Sequence, residues 1–178
     1  GSASATASFN QDYVELFNRT ANPIDLTGWS VTVSASGTST TYAQINLSGT
    51  IQPYSYYLIQ CFATPTTNGI DLPTPDATYA TTTSSLASTA GKVTLRNITT
   101  AIGALGCPPT DANLIDLVTY GTTTTTCREG SANAPAGSAT GSGLAVFRRA
   151  GGCIDTDDNG ADFSTGIPSP RNSAVIRR

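Results

Sequence analysis

Short runs of β-branched and aromatic residues recur along this chain, each cut off by Gly, Pro, Asn or Thr. No other feature constrains the fold as much. Alternation with a period of two builds strands, and frequent interruption keeps them short. Asp12–Asn18 (DYVELFN) turns Val14 and Leu16 to one side and Tyr13, Glu15 and Phe17 to the other. Trp29–Ser34 places Trp29, Val31 and Val33 on one face, and Thr41–Leu47 predicts a third strand. Tyr56–Phe62 (YYLIQCF) is apolar on both faces and reads as a central, buried strand. Lys92–Asn97, Asn113–Gly121 and Leu144–Arg149 predict three more. A short strand near Tyr79, one at Ala161–Phe163 and one at Ser173–Arg178 complete the set. No long stretch carries apolar residues at helical spacing.

The intervening segments are turns and loops. Asn22-Pro23 punctuates the first, and the Thr/Pro-rich stretch from Ala63 to Ala90 is the longest. Gly130–Gly143 reads as a surface loop. Regularly spaced short strands predict an all-β sandwich or barrel, and 178 residues without a linker or internal repeat make one domain spanning 1–178.

Composition narrows the function. Charged residues make up only 12% of the chain and Ser plus Thr roughly a quarter, well above ordinary usage. A net charge of −3 gives no general attraction to nucleic acid, and no apolar run is long enough to cross a membrane. No secretory leader is present, as expected of a mature form. Histidine is absent, which removes Ser-His-Asp and Cys-His catalysis, and no P-loop or nucleophile elbow is found. Asp12 and Glu15 are three apart on a strand and point to opposite faces, so they form no glycosidase pair. The chain is not expected to be an enzyme.

Four cysteines in a low-charge, Thr-rich chain predict disulfides and an oxidising compartment. They allow three pairings. In one of these, Cys107 and Cys127 close the segment around Leu114–Tyr120, and Cys61 pairs with Cys153. Asn18, Asn46 and Asn97 each begin an N-glycosylation acceptor pattern.

Several pieces occur together in a familiar order: DYVELFNRTANPIDLTGWSV, SGTIQPYSYYLIQ, LPTPDAT, AGKVTLRN, LIDLVTYG, CREGSANAP, GGCIDTDDNGADFSTG and PSPRNS. From about Asp12 to Asn172 the chain resembles the bacterial branch of the lamin tail domain family. The resemblance implies an immunoglobulin-like β-sandwich without catalytic residues. In animals such domains end intermediate-filament proteins and bind partners. In bacteria they occur in secreted and surface proteins, sometimes beside nuclease or phosphatase domains. Bacterial members usually carry a further strand and a Gly-rich turn before the DYVEL segment. Here residues 1–11 resemble the tail of that turn. The expectation is a sandwich with one open edge, able to take a strand from another chain. Residues 1–11 and 173–178 would be flexible or strand-exchanging ends, with Ser173–Arg178 a candidate donor.

The run DTDDNG resembles the first half of a calcium loop, with Asp155, Asp157, Asn159 and Asp162 as candidate oxygen ligands. An EF-hand needs a bidentate Glu at position 12, where this chain has Gly166. The alternative is a turn rich in Asp and Asn that caps its own backbone, its charge balanced by Arg148 and Arg149. Trp29, Tyr54, Tyr56 and Tyr57 are candidates for a sugar-stacking face. Arg171, Arg177 and Arg178 read as a solvated basic end. The expected function is an extracellular or cell-surface structural, assembly or adhesion module, self-associating by strand donation or binding other surface proteins. It would need no cofactor, with calcium the one exception considered. The competing readings are an accessory binding module of a secreted hydrolase such as a nuclease, and a calcium-dependent or glycan-binding module.

Overall fold

A computed structural model describes residues 7–34, 42–63, 69–79, 86–102, 111–122, 127–137 and 143–176. Its strands are β1 (Gln11–Phe17), β2 (Ile24–Asp25), β3 (Ser30–Ser34), β4 (Ala43–Asn46), β5 (Thr50–Ile51), β6 (Tyr56–Ala63), β7 (Ala77–Thr78), β8 (Ala90–Arg96), β9 (Leu114–Gly121), β10 (Ala145–Arg148) and β11 (Phe163–Gly166). They form a four-stranded sheet in the order β4-β3-β8-β9 and a three-stranded sheet β1-β6-β7. Two small ribbons, β2-β5 and β10-β11, accompany them.

The two larger sheets face each other over the core. Alternation decides what each strand contributes. Tyr57, Ile59 and Cys61 of β6 and Val14 and Leu16 of β1 meet Val31 and Val33 of β3, Ile45 of β4 and Val93 and Leu95 of β8. Burying a side chain such as Ile59 contributes about 1.5–3 kcal/mol. Strand β6 is central and buried, as its sequence predicts, and Leu58 on its other face is also fully buried. The segment after β11 covers that face. There Ser173 bonds to Asp76, and the Arg171 guanidinium lies 3.8 Å from the centre of the Tyr56 ring while binding Glu15.

β3 is buried on both faces. Its polar side is satisfied within the protein, by a Thr32–Thr94 hydroxyl contact and by Ser30 donating to the carbonyl of Ile98. Beside them lies Lys92, 1% exposed, its ammonium 5.0 Å from the centre of the Tyr42 ring. Burial lowers its pKa.

Three local features depart from the pattern reading. The β2-β5 ribbon lies in segments that read as turns. β7 pairs parallel to β6, with Ile59 opposite Ala77. Ser173–Arg178, expected as a strand, makes a single bridge from Ile176 to Ser55 of its own chain among the described residues. Ser55 also donates to the carbonyls of Ser173 and Val175, so this segment is fastened down up to its last described residue.

Candidate functional site

The acidic turn after β10 is a folded knot of charge. Arg148, at the end of β10, binds Asp116 of β9 through two 2.7 Å contacts and Asp155 at 2.8 Å, and reaches Asp162 at 3.5 Å. Its guanidinium also lies 4.6 Å from the centre of the Phe163 ring. Burial works against the charge of Arg148, and the three carboxylates outweigh it, raising its pKa. Asp162 is buried too. Hydrogen bonds from the Thr156 amide and hydroxyl and from the Asp158 amide offset that burial and hold its carboxyl below the usual range. Asp158 caps the single helical turn Asn159–Asp162 by accepting from the amides of Gly160 and Ala161.

The four proposed calcium ligands therefore do not converge. Asp155 is taken by Arg148 and Arg19, and Asp162 by Thr156 and Arg148. Asn159 turns inward, accepting from the Thr119 amide and donating to the carbonyl of Leu117. Asp157 sits at a positive φ of 55°, in the left-handed region that Asp tolerates at tight turns. Among the described residues no group of three or more acidic, cysteine or histidine side chains is placed to hold a metal. The physical reason is Arg148. A cation supplied by the chain already stands where an ion would draw the carboxylates together.

Glu129 joins this cluster from the loop after β9. Its carboxylate accepts from the Leu117 amide and from the Asn159 side chain. Burial, with repulsion from Asp116 next, pushes its pKa up to about 7.

Other candidate residues are dispersed. Asn18 is buried, and its side chain donates to the carbonyls of Asn22, Ile51 and Gln52 while accepting from Thr20. This corrects its reading as a glycan acceptor, since the amide nitrogen is committed inside the fold. Asn46 and Asn97 are exposed. Cys61 and Cys153 are both thiols, so the expected bridge between them is not formed. Cys61 lies wholly inside the core while Cys153 is exposed, and burial pushes the Cys61 thiol up to about 12. Cys127 is buried and disulfide-bonded, and Cys107 lies outside the described residues. The aromatic candidates make no common platform. Tyr56 and Tyr57 are buried on opposite faces of β6, Trp29 packs against the core and Tyr54 alone of the four is exposed. Arg171 is no solvated cation but the clamp on Glu15 and Tyr56, and Arg177 and Arg178 lie outside the described residues.

A slot of about 1230 Å³ runs along β1. Strand β1 pairs with β6 on one side and is the edge of its sheet on the other, among the described residues. The Asn18 amide donates to the carbonyl of Ser55, and antiparallel alternation from that bond turns the backbone of Glu15 away from β6, toward the slot. Across the slot stands β10, which pairs only with β11 among the described residues. The floor includes Val14, Leu16, Val93, Leu95, Val118 and Val146. At one end Ser8 donates to the carbonyl of Gly143, just before β10. At the other, a Cβ on Gly152 would stand 2.8 Å from the Phe17 ring. β1 and β10 thus run in the same direction with the slot between them. Alternation in the sequence locates β1, but which strand lies beside it is a long-range fact that no local pattern carries.

No curated protein matches the chain. Residues 1–122 match the model of the family described as Lamin Tail Domain, a non-catalytic family of immunoglobulin-like β-sandwiches. The match covers more than half of the chain and agrees with the two facing sheets, and the chain belongs to the lamin tail domain family.

Proposed function

We propose that this chain is a non-catalytic structural module that acts outside the cell by associating with further copies of itself through the open edge of β1. The observation that carries the reading is the slot. An edge strand backed by apolar side chains offers both backbone hydrogen bonds and a hydrophobic floor, the two things a strand from another chain needs. Low charge, high Ser and Thr content and a disulfide-bonded cysteine support an extracellular setting.

Particle size under native, non-reducing conditions tests it, by light scattering with electron microscopy of the same sample. Filaments or regular oligomers that grow with concentration are expected. A monomer of 18.2 kDa at every concentration would overturn the reading.

A further inference from the structure

The outer edge of β9 is finished without a strand. β9 ends the order β4-β3-β8-β9 among the described residues. Alternation turns the backbone of Val118 and Tyr120 toward β8 and that of Leu117, Thr119 and Gly121 outward. The Leu117 amide donates to Glu129 Oε1 at 3.1 Å, and the Leu117 carbonyl accepts from Asn159 Nδ2 at 2.8 Å. The Thr119 amide donates to Asn159 Oδ1 at 2.7 Å, and its carbonyl accepts from the Ala134 amide at 2.8 Å. The Gly121 amide donates to the Ala134 carbonyl at 2.9 Å, and its carbonyl accepts from Asn133 Nδ2 at 3.0 Å. Every outward amide and carbonyl of these three residues is therefore taken.

Two short segments supply the partners. Glu129, Asn133 and Ala134 belong to the run CREGSANAP, and Asn159 belongs to DTDDNG. The segments also hold each other. The Asn159 amide donates to the Glu129 carbonyl at 3.1 Å, and Asn159 Nδ2 reaches Glu129 Oε2 at 3.2 Å. Asn159 and Ala134 are at most 1% exposed, so this cap is packed as well as bonded. A bare strand edge invites pairing with other chains, and here side chains close it.

Glu129 is the one residue of these four whose charge can change. Burial opposes that charge, and so do Asp116 of β9 and Asp157 of the turn. Arg148 of β10 attracts it, but Arg148 is shared with Asp116, Asp155 and Asp162. We infer that the cap is a pH-operated cover, in which loss of the Glu129 proton frees residues 127–134 and Asn159 from β9 and bares the strand edge. Linkage sets the direction. In the closed cap Glu129 holds its proton up to about pH 7, whereas in water it gives the proton up near 4.5. Proton uptake favours the closed edge. Opening grows as pH rises from 4.5 and levels off above 7. Once open, Leu117, Thr119 and Gly121 offer their amides and carbonyls to another strand. None of this depends on the slot along β1.

Hydrogen exchange at single amides of the full chain tests the cover, at about pH 5 and about pH 8, with each rate divided by that of an unstructured chain at the same pH. Protection of Leu117 and Thr119 should be lower at the higher pH by roughly fivefold or more, while Val118 and Tyr120, bonded to β8, keep theirs. Glu129→Gln is neutral at both pH values and should hold the protection of Leu117 and Thr119 constant. Equal protection at the two pH values in the wild type would overturn the inference. A fall of the same size in Glu129→Gln would overturn it too, by assigning the change to another group. A matching fall at Val118 and Tyr120 would mean that β9 parts from β8 rather than shedding its cap, which also defeats the inference.

Discussion

Between β3 and β6 the sandwich is closed, and between β1 and β10 it is open. On the closed side the side chains of Val31, Val33, Ile59 and Cys61 are all at most 1% exposed, and apolar packing fills the space between the sheets. On the open side the wall residues Val14, Leu16, Val93 and Leu95 are only partly buried. What holds that side is polar: Arg148 gathering three carboxylates, and Asn159 and Glu129 fastening two loops to the backbone of β9. Apolar packing gains from closing every gap. Directional polar contacts hold strands in place while leaving a gap beside them. A domain that must both fold and keep a slot can do so by using each kind of force on a different side.

The contrast can be broken most severely at Arg148. Replacing it with Met leaves three carboxylates gathered without their cation, and loss of one partner of a buried ion cluster costs about 3–5 kcal/mol. Chemical denaturation should show that loss, and adding Asp116→Asn should recover part of it. Recovery of nothing would mean that Arg148 acts through its packing on Phe163 rather than through charge.

A pair of core truncations sharpens the comparison. Ile59→Ala removes a fully buried side chain and should cost about 2–5 kcal/mol. Leu16→Ala, on the slot wall, should cost about 1 kcal/mol when the protein is monomeric, because part of that side chain is already in water. Equal losses would show that the open side is packed as tightly as the closed one.

The smallest effect concerns pH. The Glu129 pKa stands at about 7, raised from an ordinary 4.5, so the folded state holds this proton more tightly than the unfolded chain. That contribution to stability is complete below pH 4.5 and is lost as pH rises through 7. Around Glu129 stand Asp116 on β9, Asp157 on the turn and Arg148 on β10. The melting temperature should drift down by a few degrees across this window, and Glu129→Gln should flatten the drift. A drift of the same slope in the variant would assign it to another group, with Asp116 the first to examine because burial raises its pKa as well.

Much of the fold is legible in the sequence, and the reason is local. DYVELFN announces β1 and its two faces, and YYLIQCF announces a strand covered on both sides, because side-chain direction follows from backbone period alone. The motifs were a poorer guide. Asn18-Arg-Thr has the form of a glycan acceptor, yet the same Asn and Thr close a turn by bonding to each other and to Asn22. The spelling of DTDDNG supports either a calcium loop or a self-capping turn. The self-capping reading includes Arg148 as the cation that balances the turn; what no spacing rule predicts is its further reach to Asp116 on β9. Cys61 and Cys153 fail as a pair for the same reason: alternation shows that Cys61 faces inward and says nothing about what lies opposite.

The buried position of Lys92 has a practical consequence. It is the chain's single lysine, and with 1% of its surface exposed it offers amine-directed reagents no foothold in the folded state. Amine-directed cross-linking would form no links through Lys92 even inside a dense assembly. Slow acylation of that one amine would instead serve as a clock, ticking only when β8 parts from the polar layer that covers it.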